Sequence, residues 1–251
     1  MKYLSLLISL FFVINVTSAE DQIIHDPWEG YNRAIFSFNE RLDKHLLQHV
    51  SDGYGFITPS LFREGVTNFF ENLSYPKFLV SDLVQLKFLQ SLEHTGRFLI
   101  NSTIGVAGIF DVAQYVGLPE HYEDFGLALA HHNVGPGPYW VIPFLGPSNL
   151  RDVMGRTVDT FLNPLYYLSS FNEIDDDDAL LIGFGATALE LINQRYSLDE
   201  AIKSGKDSSL DYYLFVQSSY YQYREGLLSD GASPDLEDDW DNDWDDDGFE
   251  E

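Results

Sequence analysis

Ser148 lies in Gly146-Pro147-Ser148-Asn149-Leu150, which has the first glycine and the serine of a nucleophile elbow but lacks the second glycine. That small residue is what lets an elbow expose its Oγ on a tight strand-to-helix turn. Ser148 therefore reads as the N-cap of the helix that follows rather than as a nucleophile. His131 and His132 are adjacent, so they project from different faces of a helix, and neither has the spacing of an H-E-x-x-H zinc site. They read as a polar helix end. Asp175 to Asp178 lack the alternation and the glycine of a calcium loop and read instead as an acidic first helical turn, favoured by the helix dipole. The chain has no cysteine, which excludes thiolate zinc sites, cysteine nucleophiles and disulfides. No catalytic group, metal or cofactor is expected, and the chain reads as a non-enzyme.

Chemistry of another kind is concentrated in NVGPGPYWVIPFLGPSNLRD, residues 133–152. Four prolines (Pro136, Pro138, Pro143, Pro147) remove amide donors and fix φ, so a regular helix is not expected there. Tyr139, Trp140, Val141, Ile142, Phe144 and Leu145 form an apolar run too short to cross a bilayer as a helix. The segment reads as a stiffened apolar hairpin whose contact partner has to be found.

The elements that would position this hairpin are helical. Asp26-Pro27 opens a segment to Val50 in which Tyr31, Ile35, Phe38, Leu42 and Leu46 share one face, with Asp26 as the expected cap. Pro59 opens a second segment, residues 60–73, and Pro76 a long one to Thr103 in which Gly96 marks a break or a close contact. Residues 105–117 form a short helical candidate. Further helices are expected from Asn149 to Leu162, from Ala179 to Tyr196 and from about Ser208 to Leu228, the last with a tyrosine cluster. Asn72-Leu73-Ser74 and Asn101-Ser102-Thr103 fit the glycosylation pattern, though side chains bonding backbone at helix ends would equally suit them.

The first 19 residues have a short basic start (Lys2), an apolar core and Thr17-Ser18-Ala19, and read as an export signal. Residues 230–251 hold twelve acids and no base, which leaves −14 of the formal −26 on the rest. Such a surface repels nucleic acid, and the tail is expected to be disordered in isolation. Residues 20–229 are the expected folded domain.

Several blocks resemble the MlaA/VacJ family of Gram-negative outer-membrane proteins: DPWEGYNRAIFSFNERLD (26–43), GVTNFFENLSYP (65–76), GRFLINSTIGVAGIFDVA (96–113), EDFGLALA (123–130) and GPGPYWVIPFLGPSNLRDVMG (135–155). They follow one another in the family's order. The resemblance implies a mostly α-helical, ring-shaped single domain lying in the inner leaflet of the outer membrane, at its periplasmic face, with an amphipathic channel. It implies removal of stray phospholipid from the outer leaflet, delivery to a soluble periplasmic lipid carrier, and association with trimeric porins. It places the hairpin beside the channel: Gly135 and Gly137 would permit movement, and Tyr139, Trp140, Ile142, Phe144 and Leu145 would meet lipid or neighbouring helices. Structural roles are implied for Asp26, Pro27, Asn32, Arg33, Asn68, Asn72, Arg97, Asn101, Gly105, Gly108, Asp111, Asp124, Phe125, Gly126, Gly146, Pro147, Arg151 and Asp152. Most members carry an acylated cysteine that this sequence lacks, so membrane residence would rest on apolar surface and porin contact. Two other functions stay open at this point: a porin adaptor that moves no lipid and, third, a lipid hydrolase.

Overall fold

A computed structural model describes residues 26–170 and 175–229. The expected export signal (1–19) and acidic tail (230–251) lie outside the described residues. Within them the chain is mostly helical. Helix α1 (Glu29–Leu42) runs through one π-helical stretch (Asp43–Leu47) straight into α2 (Gln48–Ile57), beyond the expected end at Val50. It stops at Thr58, whose extended backbone (φ −105°, ψ 132°) is what the following Pro59 demands. Asp26 does not cap α1. Trp28 holds that place without a side-chain bond, and the Asp26 carboxylate instead accepts from Asn32, Gln217 and the Tyr213 hydroxyl.

Three helices follow: α3 (Ser60–Leu73), α4 (Tyr75–Gln85) and α5 (Phe88–Thr103). The single long segment expected after Pro76 is thus two, divided at Leu86, which takes a left-handed φ of 63° while Lys87 N–H bonds Asp82 O at 2.9 Å. Gly96 does not interrupt α5; a Cβ there would stand 3.1 Å from Leu118, so it marks a close contact. Residues 105–117 are not the expected α-helix. Val106, Ala107 and Gly108 all have positive φ, the N–H of Gly108 returns to Asn101 O at 2.8 Å, and only Ala113–Val116 forms a 3-10 turn.

Asp124 caps α6 (Phe125–His131), accepting Leu127 N–H at 2.8 Å. Strands β1 (Tyr139–Ile142) and β2 (Gly146–Asn149) form an antiparallel hairpin with Tyr139 opposite Asn149 and Ile142 opposite Gly146. Then comes α7 (Leu150–Leu162), capped by Asn149, which accepts Asp152 N–H, and not by Ser148, which is buried in β2. A 3-10 stretch (Pro164–Ser170) precedes α8 (Asp176–Ser197), α9 (Asp199–Ser208) and α10 (Tyr212–Leu228).

The packing closes into a circuit. α1 touches β1, β2 touches α10, α10 touches α6, α6 touches α4, α4 touches α3, α3 touches α8, and α8 touches α2, which continues α1. The polarity of this ring is inverted relative to a water-soluble bundle. Asn32, Asp82, His94, Glu123, Asp152 and Arg224 are buried, whereas Phe56 (91% exposed), Tyr115 (82%), Ile57 (75%) and Leu89 (72%) face outward. Exposed apolar side chains continue over Leu61 and Phe62 of α3, Leu92 and Leu99 of α5, and Leu180, Leu181 and Phe184 of α8. Exposed apolar side chains in this number mark a lipid or protein contact surface. No helix among the described residues is long and apolar enough to cross a membrane.

Candidate functional site

The hairpin is a sheet of two strands, with no third strand among the described residues. Asn32 and Asn39 stand two turns apart on one face of α1, the spacing that a helix requires to meet one straight edge. Asn32 donates to Tyr139 O (3.0 Å) and accepts Val141 N–H (2.9 Å); Asn39 donates to Ile142 O (3.0 Å) and accepts Phe144 N–H (2.9 Å). Two amide side chains thereby supply the bonds a neighbouring strand would give, which a buried edge needs. Tyr139 and Val141 are fully buried and pack with Ile35, Phe36, Tyr213, Tyr220 and Tyr221. Trp140 and Ile142, on the opposite face, are half-buried, with Trp140 edge-on to Trp28. Phe144 and Leu145 at the tip are 64% and 61% exposed. Alternate residues therefore divide between anchoring and presentation. Gly137 and Gly146 have φ of +67° and +81°, while Gly135 has no positive φ and a Cβ there would meet nothing within 4 Å. The carbonyls of Pro136 and Pro138 are bonded by the amides of Arg151 and Leu150.

A charged knot secures the foot of the hairpin. Arg224 bonds both oxygens of Asp124 (2.5 and 3.0 Å), and its Nε lies 2.9 Å from Asp152 Oδ2. Asp152 also receives Arg151 Nε (2.9 Å), Asn149 Nδ2 (3.2 Å) and the Tyr220 hydroxyl. Burial alone would raise the Asp124 carboxyl, but Arg224 and the Leu127 amide hold it below its ordinary range. Gly126 and Gly155 let α6 and α7 touch backbone to backbone; a Cβ on Gly155 would stand 2.3 Å from Gly126 N. Phe125 N–H bonds Asp159, and Pro147 pairs across the hairpin with Val141.

The remaining residues implied by the resemblance gather in two brackets. Arg33 reaches Asp211 at 2.9 Å and lies over the Tyr213 ring, close to Asp26, while Pro27 precedes the α1 cap. Asn68, Asn72, Arg97, Asn101, Gly105, Gly108 and Asp111 hold the left-handed turn after α5. Asp111 accepts from Arg97 (2.9 Å) and Asn101 (2.8 Å), Asn101 accepts Ala113 N–H (2.9 Å), Asn72 donates to Ser102 (2.9 Å), and Asn68 donates to Ile109 O (3.2 Å). The two glycosylation-like asparagines are thus committed to internal bonds. Ser148 Oγ is buried against Asn149 O, and His132 Nε2 meets Val84 O at 2.8 Å.

Sequence reasoning missed a partly open cavity between α3, α4 and α8. It measures about 150 Å³ and is lined by Phe70 and Glu71 of α3, Lys77 and Phe78 of α4, Glu120, His121 and Tyr122 of the connecting loop, and Glu190 and Asn193 of α8. A smaller one of about 40 Å³ adjoins it through Glu71, Phe78, Glu120 and His121. Burial, reinforced by Glu120, pushes the Glu71 carboxyl up to about 8. Burial and Asp124 push Asp159 up to about 6, and burial also raises Glu190. Behind this wall a buried network is fully bonded: Asp82 meets His94 at 2.6 Å, and Glu123 receives Gln85 (2.6 Å), Lys87 (2.9 Å) and Gln90 (2.9 Å). The available sequence signal was a lone charge inside an apolar run, Lys77 in YPKFLV and Glu190 in ATALELI.

An apolar outer surface and a charged cavity can hold an amphiphile without breaking a bond in it. The family model described as MlaA lipoprotein matches residues 24–226. An uncharacterized protein of Rickettsia felis is 36% identical over 82% of this chain and 78% of its own length. The intermembrane phospholipid transport system lipoprotein MlaA of Escherichia coli K12 is 31% identical over 82% of this chain and 79% of its own. A solved structure from "Structural basis for maintenance of bacterial outer membrane lipid asymmetry" superposes with a TM-score of 0.69 at 31% identity, covering 81% of this chain and 98% of that one. The inverted helical ring with its clamped hairpin, found in a chain this similar to them, belongs to the MlaA lipoprotein family.

Proposed function

We propose that this protein helps keep the outer membrane lipid-asymmetric by taking mislocalised phospholipid from the outer leaflet and passing it to a soluble periplasmic carrier. The observation that carries the reading is the inverted ring: apolar side chains outward, charged side chains around an interior cavity. Helices with wide apolar outer faces lie along a leaflet and bury those faces among acyl chains. A head group in that setting needs a polar route through the ring, and the polar cavity beside α3, α4 and α8 supports this reading. The exposed hairpin tip, Phe144 and Leu145, would meet lipid tails, and the Gly135 to Gly137 segment would let it shift. Porins and the carrier are its proposed partners. The work is non-covalent.

Deleting the gene and measuring intact phospholipid in the outer leaflet, with an outer-leaflet phospholipid-modifying enzyme as reporter, tests this. The expected result is a rise that complementation reverses. An unchanged level, with redundancy excluded, overturns the transport reading in favour of a porin adaptor. Lysophospholipid products would point to a hydrolase.

A further inference from the structure

Thr67, Glu71 and Ser74 on one side and Glu190, Asn193 and Gln194 on the other face a single cation, Lys77. The sequence carries 40 acids against 14 lysines and arginines, so a cation with no carboxylate in direct contact is conspicuous. Arg97, Arg151, Arg195 and Arg224 in the interior are all ion-paired. Lys77 is half-buried and makes no ion pair or hydrogen bond among the described residues. Its ammonium instead sits between the rings of Phe78 (4.9 Å) and Tyr122 (4.8 Å), which hold it at the cavity wall. Its positive field reaches Asp124 and Asp159, which it shares with Arg224, and Glu190.

We propose that this cavity is a head-group site for phospholipids that carry a primary ammonium beside the phosphodiester, with Lys77 taking the phosphate and Glu71, Glu120 and Glu190 taking the ammonium. The proposal deepens the transport reading and rests on it. Size agrees: about 150 Å³ is the room of roughly five waters at ~30 Å³ each, enough for the two charged ends of an ethanolamine phosphate. Charge selects among head groups. An anionic glycerol head would bring a negative charge beside three carboxyls and supply no cation, a like-charge arrangement that disfavours it. A quaternary choline has no N–H to donate, and the aromatic pair that could cage it already holds Lys77. A primary ammonium offers three donors to Glu71, Glu120 and Glu190, of which only Glu120 has an ion-pair partner among the described residues, Arg97 at 4.0 Å. Glu71, whose carboxyl burial and Glu120 push up to about 8, would release its proton to solvent when the ammonium binds, so binding should be weaker at lower pH.

The test uses the full chain in detergent, incubated with an equimolar mixture of phosphatidylethanolamine and phosphatidylglycerol, with the retained lipid measured by mass spectrometry. About tenfold enrichment of phosphatidylethanolamine is expected, the scale of one charge-assisted bond. Glu71→Gln with Glu190→Gln should abolish the enrichment while leaving total retained lipid unchanged. Lys77→Met should lower total retention, and Lys77→Arg should restore it. Retained lipid without preference, or a preference for phosphatidylglycerol, overturns the head-group proposal and leaves the transport reading standing. No retained lipid, with no rise in surface phospholipid on gene deletion, removes both. Direct binding of soluble glycerophosphoethanolamine, read by calorimetry, to a chain that retains no lipid would assign the cavity to a free solute, against the proposal. The unmodified chain's enrichment decides the matter even if a variant fails to fold.

Discussion

Asp124 and Glu71 are both carboxyls in the interior of the same helical ring, and their surroundings send them in opposite directions. Asp124 meets a two-pronged Arg224, a backbone N–H and closely packed helices, and stays charged below its ordinary range. Glu71 is buried beside the cavity in direct contact with Glu120 and is pushed up to about 8. Where charges are compensated the ring is scaffold: the knot at the hairpin foot, the Asn32 and Asn39 clamp, and the bracket around Asp111. Where charges outnumber their partners, the chain retains an arrangement that costs stability, as sites for a ligand do.

The largest way to break this contrast is to remove the compensation. Arg224→Met leaves Asp124 and Asp152 buried without their shared cation and should destabilise the fold by about 3–5 kcal/mol, read by denaturant unfolding in detergent. Asn32→Ala comes next. It strands Tyr139 O, Val141 N–H and part of Asp26 in a fully buried site, and should cost ~2–4 kcal/mol. Asn39→Ala, nearer the exposed tip, should cost about 1–2 kcal/mol. Limited proteolysis within residues 139–149 should accelerate in the same order. Equal and negligible losses for both asparagines would mean that the tyrosine cluster alone holds the hairpin.

Much of the scaffold was legible from residue types. The 3.6-residue apolar stripe of α1, the prolines that start α3 and α4, and the proline-broken hairpin each follow from local stereochemistry. The errors came where two local readings were equally good or where no local signal exists. Ser148 and Asn149 are both competent caps, and only the strand pairing of Ser148 opposite Trp140 decides for Asn149. Val106 and Ala107 carry nothing that forecasts positive φ; the turn is imposed from outside by Asn101 and Asp111. The asparagine clamp was visible as spacing but not as function, since nothing in α1 tells which strand edge will lie beside it. The cavity was invisible for the same reason: Glu71, Lys77, Glu120 and Glu190 come together only through the closed circuit of helices.

The two carboxyls also predict opposite pH responses. Glu71 is an acid whose folded value lies above its ordinary 4.5, so its contribution to stability is complete below that pH and is lost as pH rises toward about 8. Asp124 is held below its ordinary 3.8, so its contribution is present above that value and is lost as pH falls through the lowered one. Glu71→Gln should therefore melt higher than the parent at pH 8 and together with it at pH 4, by about 2–4 °C for each kcal/mol regained. Asp159, raised to about 6, should repeat the effect in Asp159→Asn over a narrower window between its ordinary 3.8 and about 6. Parallel melting curves at all pH values would place Glu71 among the compensated groups and weaken the case for the cavity.

The smallest effects separate movement from support in the hairpin itself. Gly137→Ala puts a side chain on a φ of +67° and a Cβ 3.1 Å from Leu150, which should cost about 1 kcal/mol. Gly135→Ala meets nothing within 4 Å at an ordinary φ and should change stability by less than ~0.5 kcal/mol. Gly135 is therefore the cleaner probe of motion: a stiffer residue there alters the flexibility of the segment without altering what the segment touches. If the tip must shift for lipid to enter, Gly135→Pro should slow lipid removal while the helical circular dichroism and the melting temperature stay near the parent's. Unimpaired removal would mean that the hairpin, pinned at Asn32 and at the Arg224 knot, works as a fixed wall of the lipid path.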